Sequence, residues 1–240
     1  MPRPVGADAA RTRSRIRDAA APLFAAHGLD GVSIRDVVSA AGVSVAMVNH
    51  HFGSKEDLYT AVIDAMYDEL AALQHTLLAL PPTPDLVDRA VGLTFGFARQ
   101  HQPAIRLTLY EVLAAGELPA ARRNRWLLPF LDTVTRVFPR RDKAELRFRA
   151  QSIVFLIVRY ALATPAEIAR IAGLSSPSLA LARVEEHLAA LAHVMLEEPV
   201  KWSSTTASAS APPSPTSSAG SSRSTGSSSS RRSRRPPKSR

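Results

Sequence analysis

Apolar residues recur three and four positions apart along most of this chain, a helical spacing, and Gly, Pro and Ser fall mainly between the apolar runs. The first run predicts a helix from about Thr12 to His27, burying Ile16, Ala20, Leu23 and Phe24, with Gly28 as the left-handed residue that ends it. Ser33-Ile34-Arg35-Asp36 has the form of a capping box opening a short helix with Ile34, Val37, Val38 and Ala41 inward. Gly42 stops that helix, Val43 turns inward, and Ser44 is placed to cap a third helix through about His50. Helix, tight turn and helix within so short a span is helix-turn-helix spacing.

A second capping signature, Ser54-Lys55-Glu56-Asp57, opens a long helix whose stripe is Leu58, Val62, Met66, Leu70, Leu73, Leu77 and Leu80, ended by Pro81-Pro82. Further helices are predicted at about 84–101, 103–115, 120–138, 142–163, 165–172 and 177–197. Three of them start with Pro behind a capping residue, at Thr83-Pro84, Thr164-Pro165 and Ser176-Pro177. Gly and Pro are read as lying at helix ends, except Gly92, Gly96 and Pro129. The two glycines are read as allowing close helix approach or opening pocket space, and Pro129 as kinking its helix.

The fold class that follows is all-α: an N-terminal three-helix unit holding the helix-turn-helix, then a helical bundle. The expected division is a flexible basic arm at 1–11, the helix-turn-helix domain at 12–55, the helical body at 56–202 and a disordered tail at 203–240. An apolar share rich in Ala and Leu and poor in aromatics agrees with a helical fold. The tail is Ser, Pro, Thr, Ala, Gly and Arg with no large apolar residue, so it has nothing to bury against the entropy of ordering.

Net charge is +9, and seven of those charges sit in the acid-free tail, at Arg223, Arg231, Arg232, Arg234, Arg235, Lys238 and Arg240. The overall basicity is therefore weak evidence about the folded part. The tail reads as a non-specific phosphate binder, a solubilising extension or a segment without a role. With no cysteine, disulfides, thiolate zinc sites and cysteine nucleophiles are excluded, and a reducing compartment is compatible. The run from Ile153 to Val158 stops at Arg159, well short of a bilayer span, so a soluble, cytosolic protein without a membrane partner is expected. No phosphate-binding Gly-rich loop, His-Glu-x-x-His pair or nucleophile elbow is present, which argues against an enzyme. No cofactor and no metal are expected; His50 and His51 point about 100° apart on a helix and do not converge on one ion.

A helix-turn-helix reads DNA because its second helix fits the major groove, where base edges offer distinct donors and acceptors. The positions expected to face DNA are Val45, Ala46, Met47, Asn49 and His50, with Val48 in the core. Asn49 is suited to a bidentate pair with adenine, and Met47 or Ala46 to a thymine methyl.

The order Ile16-x-x-Ala19-Ala20-x-x-Leu23-Phe24-x-x-x-Gly28, Ser33-Ile34-Arg35-Asp36-Val37, Ala41-Gly42-Val43-Ser44, His51-Phe52-x-Ser54-Lys55-x-x-Leu58 resembles the TetR/AcrR family signature over about residues 12 to 60. The resemblance implies a homodimer on double-stranded DNA with a near-palindromic operator, released by an unknown small-molecule effector bound in the body. It implies phosphate contacts from Ser33, Ser44, His51 and Lys55. Where many members have Lys-Gly and a Tyr in the recognition helix, this chain has Val45-Ala46 and Asn49, and Val45 to Tyr59 looks like a subgroup with that Asn followed by His-His-Phe-Gly-Ser-Lys.

By the same resemblance helices 142–163 and 177–197 form the dimer interface. The candidates are Ile153, Leu156, Ile157 and Tyr160 on the first, and Leu181, Val184, Leu188, Leu191 and Met195 on the second; an intramolecular core is their other use. Candidate ligand residues are polar or aromatic groups among apolar neighbours: Phe97, His101, Tyr110, Glu111, Trp126, Phe130, Phe155 and Arg159. Arg159 needs a partner, for which a ligand carboxylate, Glu111 or a helix carboxyl end are the alternatives. The competing functional classes are a non-specific architectural DNA binder, favoured by the tail, and an enzyme without a recognisable motif.

Overall fold

The computed structural model describes residues 5–79, 85–138 and 141–197, all helices and short connections. Leu80, the Pro81-Pro82 stop, the Thr83-Pro84 start and the tail expected at 203–240 lie outside the described residues.

The N-terminal helices are α1 (Val5–His27), α2 (Ile34–Ala41), α3 (Val45–Phe52) and α4 (Lys55–Leu78). Their boundaries are set by local chemistry. Ser33 Oγ accepts the Asp36 N–H at 3.2 Å while the Asp36 carboxylate accepts the Ser33 N–H at 2.9 Å, a complete capping box. Ser44 and Ser54 cap α3 and α4 in the same way, accepting from Met47 N–H and Asp57 N–H. Gly42, at φ 63°, ends α2 in the left-handed region and bends the chain into α3.

Two expectations change here. Residues 5–11, expected to be a flexible arm, are helical, because α1 begins at Val5 rather than near Thr12. Pro22 lies inside α1, so Pro is not confined to helix ends and Pro129. Its ring is exposed, and the buried face of the helix, Ile16, Ala20 and Phe24, holds the helical path through it.

The body continues with α5 (Leu86–Gln100), α6 (Gln102–Ala115), α7 (Ala120–Arg122), a π-helical turn (Arg123–Leu127), α8 (Leu128–Val137), α9 (Lys143–Leu162), α10 (Pro165–Ala172) and α11 (Pro177–Glu197). The π turn is the structural answer to Pro129. Leu128 N–H reaches back to Arg123 carbonyl, one residue further than in an α-helix, and Pro129 then sits in the first turn of α8, where its missing N–H is harmless. Gly92 admits the α11 side chain Glu185, whose Oε1 would lie 2.6 Å from an added Cβ, whereas a Cβ at Gly96 would meet open space.

One apolar cluster runs from Ile16, Phe24 and Val48 through Leu58, Ile63 and Tyr67 to Phe95, Leu107, Ile157 and Leu188. Helix α1 packs on α4 and α6 as well as on α2, so the expected division at residue 55/56 falls inside a shared core, at the start of a continuous helix. The C-terminal carbonyls of α9 are closed by side chains from elsewhere. Arg99 donates to the carbonyls of Ala161 and Ala163 at 2.9 Å each, Gln102 to Ala161 at 2.6 Å and Arg106 to Leu162 at 3.2 Å. Among the described residues no single helix is long and apolar enough to cross a membrane.

Candidate nucleic-acid interface and ligand cavity

Helix α3 turns Val48 and Phe52 into the core, and this fixes what it shows outward: Val45, Ala46, Met47, Asn49 and His50 are all exposed. The helix carries no acid. Ser44 is exposed at its N-terminus, where free N–H groups and the helix dipole favour a phosphate. His51 is half-buried, its ring 5.3 Å from that of His50 in an edge-to-face arrangement.

Lys55 and Ser33 are brought together although far apart in sequence. The Lys55 ammonium donates to the Val32 carbonyl at 3.2 Å, next to the capped start of α2. A neutral carbonyl leaves the charge uncancelled and two N–H bonds for other acceptors. The capping hydrogen bonds from Ser33 hold the Asp36 carboxyl below its ordinary value.

Arg13, which no sequence motif singles out, fixes the far end of α3. Its guanidinium donates to the His51 carbonyl and lies over the Phe52 ring, 4.4 Å from the centroid. A cation at a helix C-terminus offsets the dipole there. No local pattern reveals this contact, because it joins residues 38 positions apart.

In the body, α4, α5, the π turn, α8, α9 and α11 line a half-open cavity of about 350 Å³. Its lining is apolar, including Leu70, Leu73, Leu77, Val91, Val134, Ile153, Ile157 and Leu196, with Gln74, Thr94, Thr133 and Trp126 as its polar members. Of the expected ligand residues, Trp126 and Phe130 line it, stacked on one another at 6.0 Å and 7°.

The other six do not line it. Phe97 is stacked on His101 at 4.2 Å, and His101 reaches Glu69 at 3.4 Å. Glu111 is paired with Arg122, which also holds Asp64 at 3.3 Å. Tyr110 and Phe155 are exposed. Arg159 is exposed too and pairs with Glu167 at 3.0 Å, so it needs neither a ligand carboxylate nor Glu111. Gln74 was missed; its signal is a polar residue within the Leu70, Leu73, Leu77 stripe.

The expected dimer residues divide. Ile153, Ile157, Val184 and Leu188 are buried within the chain, and the first two face the cavity, so they are core rather than interface. Leu156, Tyr160, Leu181, Leu191 and Met195 are half-buried. The large apolar residues that α9 and α11 leave exposed are instead Phe148, Phe155, Leu179 and Val194. Helix α9 is apolar on more than one side, and the sequence pattern did not say which side turns inward.

The family model "Bacterial regulatory proteins, tetR family" matches residues 16–62. The chain is 51% identical over 57 residues to the HTH-type transcriptional regulatory protein RaaS of Mycobacterium tuberculosis, covering 24% of this chain and 26% of that one. It is 30% identical over 117 residues to the HTH-type transcriptional regulator CymR of Pseudomonas putida, covering 48% and 57%. The chain thus spans between about a quarter and about half of the length of these relatives. A TetR-like transcriptional regulator from Rhodococcus sp. RHA1 superposes over 82% of this chain and 98% of its own, with a TM-score of 0.57 at 18% identity, which extends the likeness of fold into the body. Residues 16–62 are thus matched in sequence to the tetR family of bacterial regulatory proteins, and over 82% of the chain the fold is like that of a TetR-like regulator.

Proposed function

We propose that this protein is a sequence-specific DNA-binding transcriptional regulator, a repressor released from its operator by a small molecule. The observation that carries the reading is the acid-free outward face of α3, with Lys55 held beside the capped start of α2. Phosphates are met by Ser44, Ser33, His51 and Lys55, and base edges by Met47 and Asn49, with Val45, Ala46 and His50 beside them. The protein is a regulator rather than an enzyme and acts in the cytosol.

It works as a homodimer joined through the outer faces of α9 and α11, where Phe148, Phe155, Leu179 and Val194 supply apolar area. Two recognition helices then meet the half-sites of a near-palindromic operator. The effector occupies the cavity. Helix α4 links the two sites, since it is continuous from Lys55 beside α2 to Gln74 on the cavity wall, roughly 30 Å along the axis. A ligand that alters the packing of its C-terminal half changes the angle at which its N-terminal half presents α3.

Fluorescence anisotropy tests the reading, with the protein's own upstream intergenic DNA set against scrambled DNA of equal length, at roughly physiological salt, for the full chain and for a form ending at residue 202. A preference of about 10³-fold or more that survives removal of the tail is expected. Little preference, with affinity that collapses when the tail is removed, would make the tail a non-specific polyanion binder and would favour the architectural reading.

A further inference from the structure

The cavity wall contains two donors that the protein itself leaves without acceptors. Gln74 Nε2 on α4 and Trp126 Nε1 in the π turn are both buried, have no hydrogen-bond partner among the described residues, and belong to residues that line this cavity. A buried, unmade hydrogen bond is a standing cost, and two such groups around one apolar space are unusual in a folded protein. Of the two threonines on the wall, Thr133 already donates its hydroxyl proton to the Pro129 carbonyl at 2.9 Å. Among the described residues no lining residue is ionisable.

Charge, polarity and size therefore define a ligand. A carboxylate or an ammonium brought into this space would lose water without meeting a counter-charge, at a large cost. A hydrocarbon would fill the space but leave both donors unmade. We infer that the cavity takes an uncharged, largely apolar small molecule carrying a hydrogen-bond acceptor oxygen, as in a ketone, ester or ether, which receives the Gln74 Nε2 and Trp126 Nε1 protons. At interior packing density, about 350 Å³ holds on the order of 15 non-hydrogen atoms. The inference deepens the regulator reading by naming the chemical class of its effector, and it is tested without DNA.

The test uses three compounds of similar shape: benzophenone, which offers a carbonyl oxygen; diphenylmethane, which lacks it; and diphenylacetate, which is charged. Equilibrium dialysis against the full chain gives each affinity. Benzophenone is expected to bind about tenfold more tightly than diphenylmethane, the effect of satisfying donors that are otherwise left bare, and diphenylacetate more weakly than benzophenone by at least as much. In the protein labelled with 15N-tryptophan, the indole proton of Trp126, identified by its loss in Trp126→Phe, moves downfield with benzophenone and not with diphenylmethane.

Gln74→Leu keeps volume and removes one donor, so it should hold or raise the melting temperature while cutting the ketone preference, and Gln74→Leu with Trp126→Phe should abolish it. Equal binding of ketone and hydrocarbon, tightest binding of the carboxylate, or binding of none of the three would overturn the inference. Operator release is scored separately: if benzophenone binds as expected but leaves the protein on DNA, the ligand class stands and the coupling to DNA falls.

Discussion

Ser44 is expected to do two things at once, and the structure allows them to be separated. Its Oγ accepts the Met47 N–H at 3.2 Å and so caps α3, while the same exposed helix start is where a phosphate should sit. Ser44→Ala removes the cap at a cost of about 1 kcal/mol. In a chain of this size that lowers the melting temperature by about 2–4 °C. Ser44→Asp keeps a capping oxygen and places a negative charge near the positive end of the helix, so the melting temperature should stay close to that of the wild type. On DNA the order reverses. A carboxylate about 5 Å from a phosphate is repelled by about 1–3 kcal/mol over the range from water-like to surface-like dielectric, or about 5- to 150-fold in affinity for each recognition helix. Melting curves and anisotropy titrations of both variants give the comparison. If Ser44→Asp is as stable as the wild type and binds the operator equally well, the N-terminus of α3 does not face the phosphates, and the docking assigned to the helix-turn-helix is wrong.

Other outcomes follow from single contacts. Met47→Ala and Asn49→Ala should each lower the preference for operator over scrambled DNA by about 1–3 kcal/mol with little change in non-specific affinity, and the base-reading role is lost if both keep full preference. Pro22→Ala should raise the melting temperature by several degrees, since an interior Pro costs a helix about 3 kcal/mol relative to Ala, and an unchanged value would show that α1 has adapted to the ring at no cost. Asp36 has its carboxyl held below its ordinary value of 3.8 in the folded state by hydrogen bonds from Ser33, so the charged form adds stability above that value and loses it as pH falls through the lowered one. Asp36→Asn should therefore melt below the wild type at neutral pH, with the gap closing in acid; a gap independent of pH would remove the carboxylate from the account.

Much of the N-terminal helical unit is legible in the residues because it is built from short-range chemistry. A serine whose hydroxyl accepts the backbone N–H three positions later caps a helix start, and Ser33, Ser44 and Ser54 do so here. Once α3 is only eight residues long with Val48 and Phe52 inward, its exposed set is fixed by helical geometry. The position of Arg13 against the His51 carbonyl is different in kind, since it exists only when α1 is laid across the end of α3.

The body was decided by packing. Residues with apolar neighbours on several sides, as along α9, satisfy a helical period in more than one orientation, and only the helices packed around them choose between Ile153 and Ile157 inward and Phe148 and Phe155 outward. The same holds for the polar groups. Arg159 looks stranded in a linear reading and is paired across a turn with Glu167, whereas Gln74, a polar residue within the Leu70, Leu73, Leu77 stripe, lies on the cavity wall with its amide nitrogen buried and unpartnered among the described residues. By itself the sequence determined most of the helices, the serine caps and the outward face of α3, because these depend on residues within a turn of one another. Only the tertiary structure decided the π turn that accommodates Pro129, the closure of α9 by Arg99, Gln102 and Arg106, and the cavity with its two bare donors, because each requires groups from separate helices to be brought to one place.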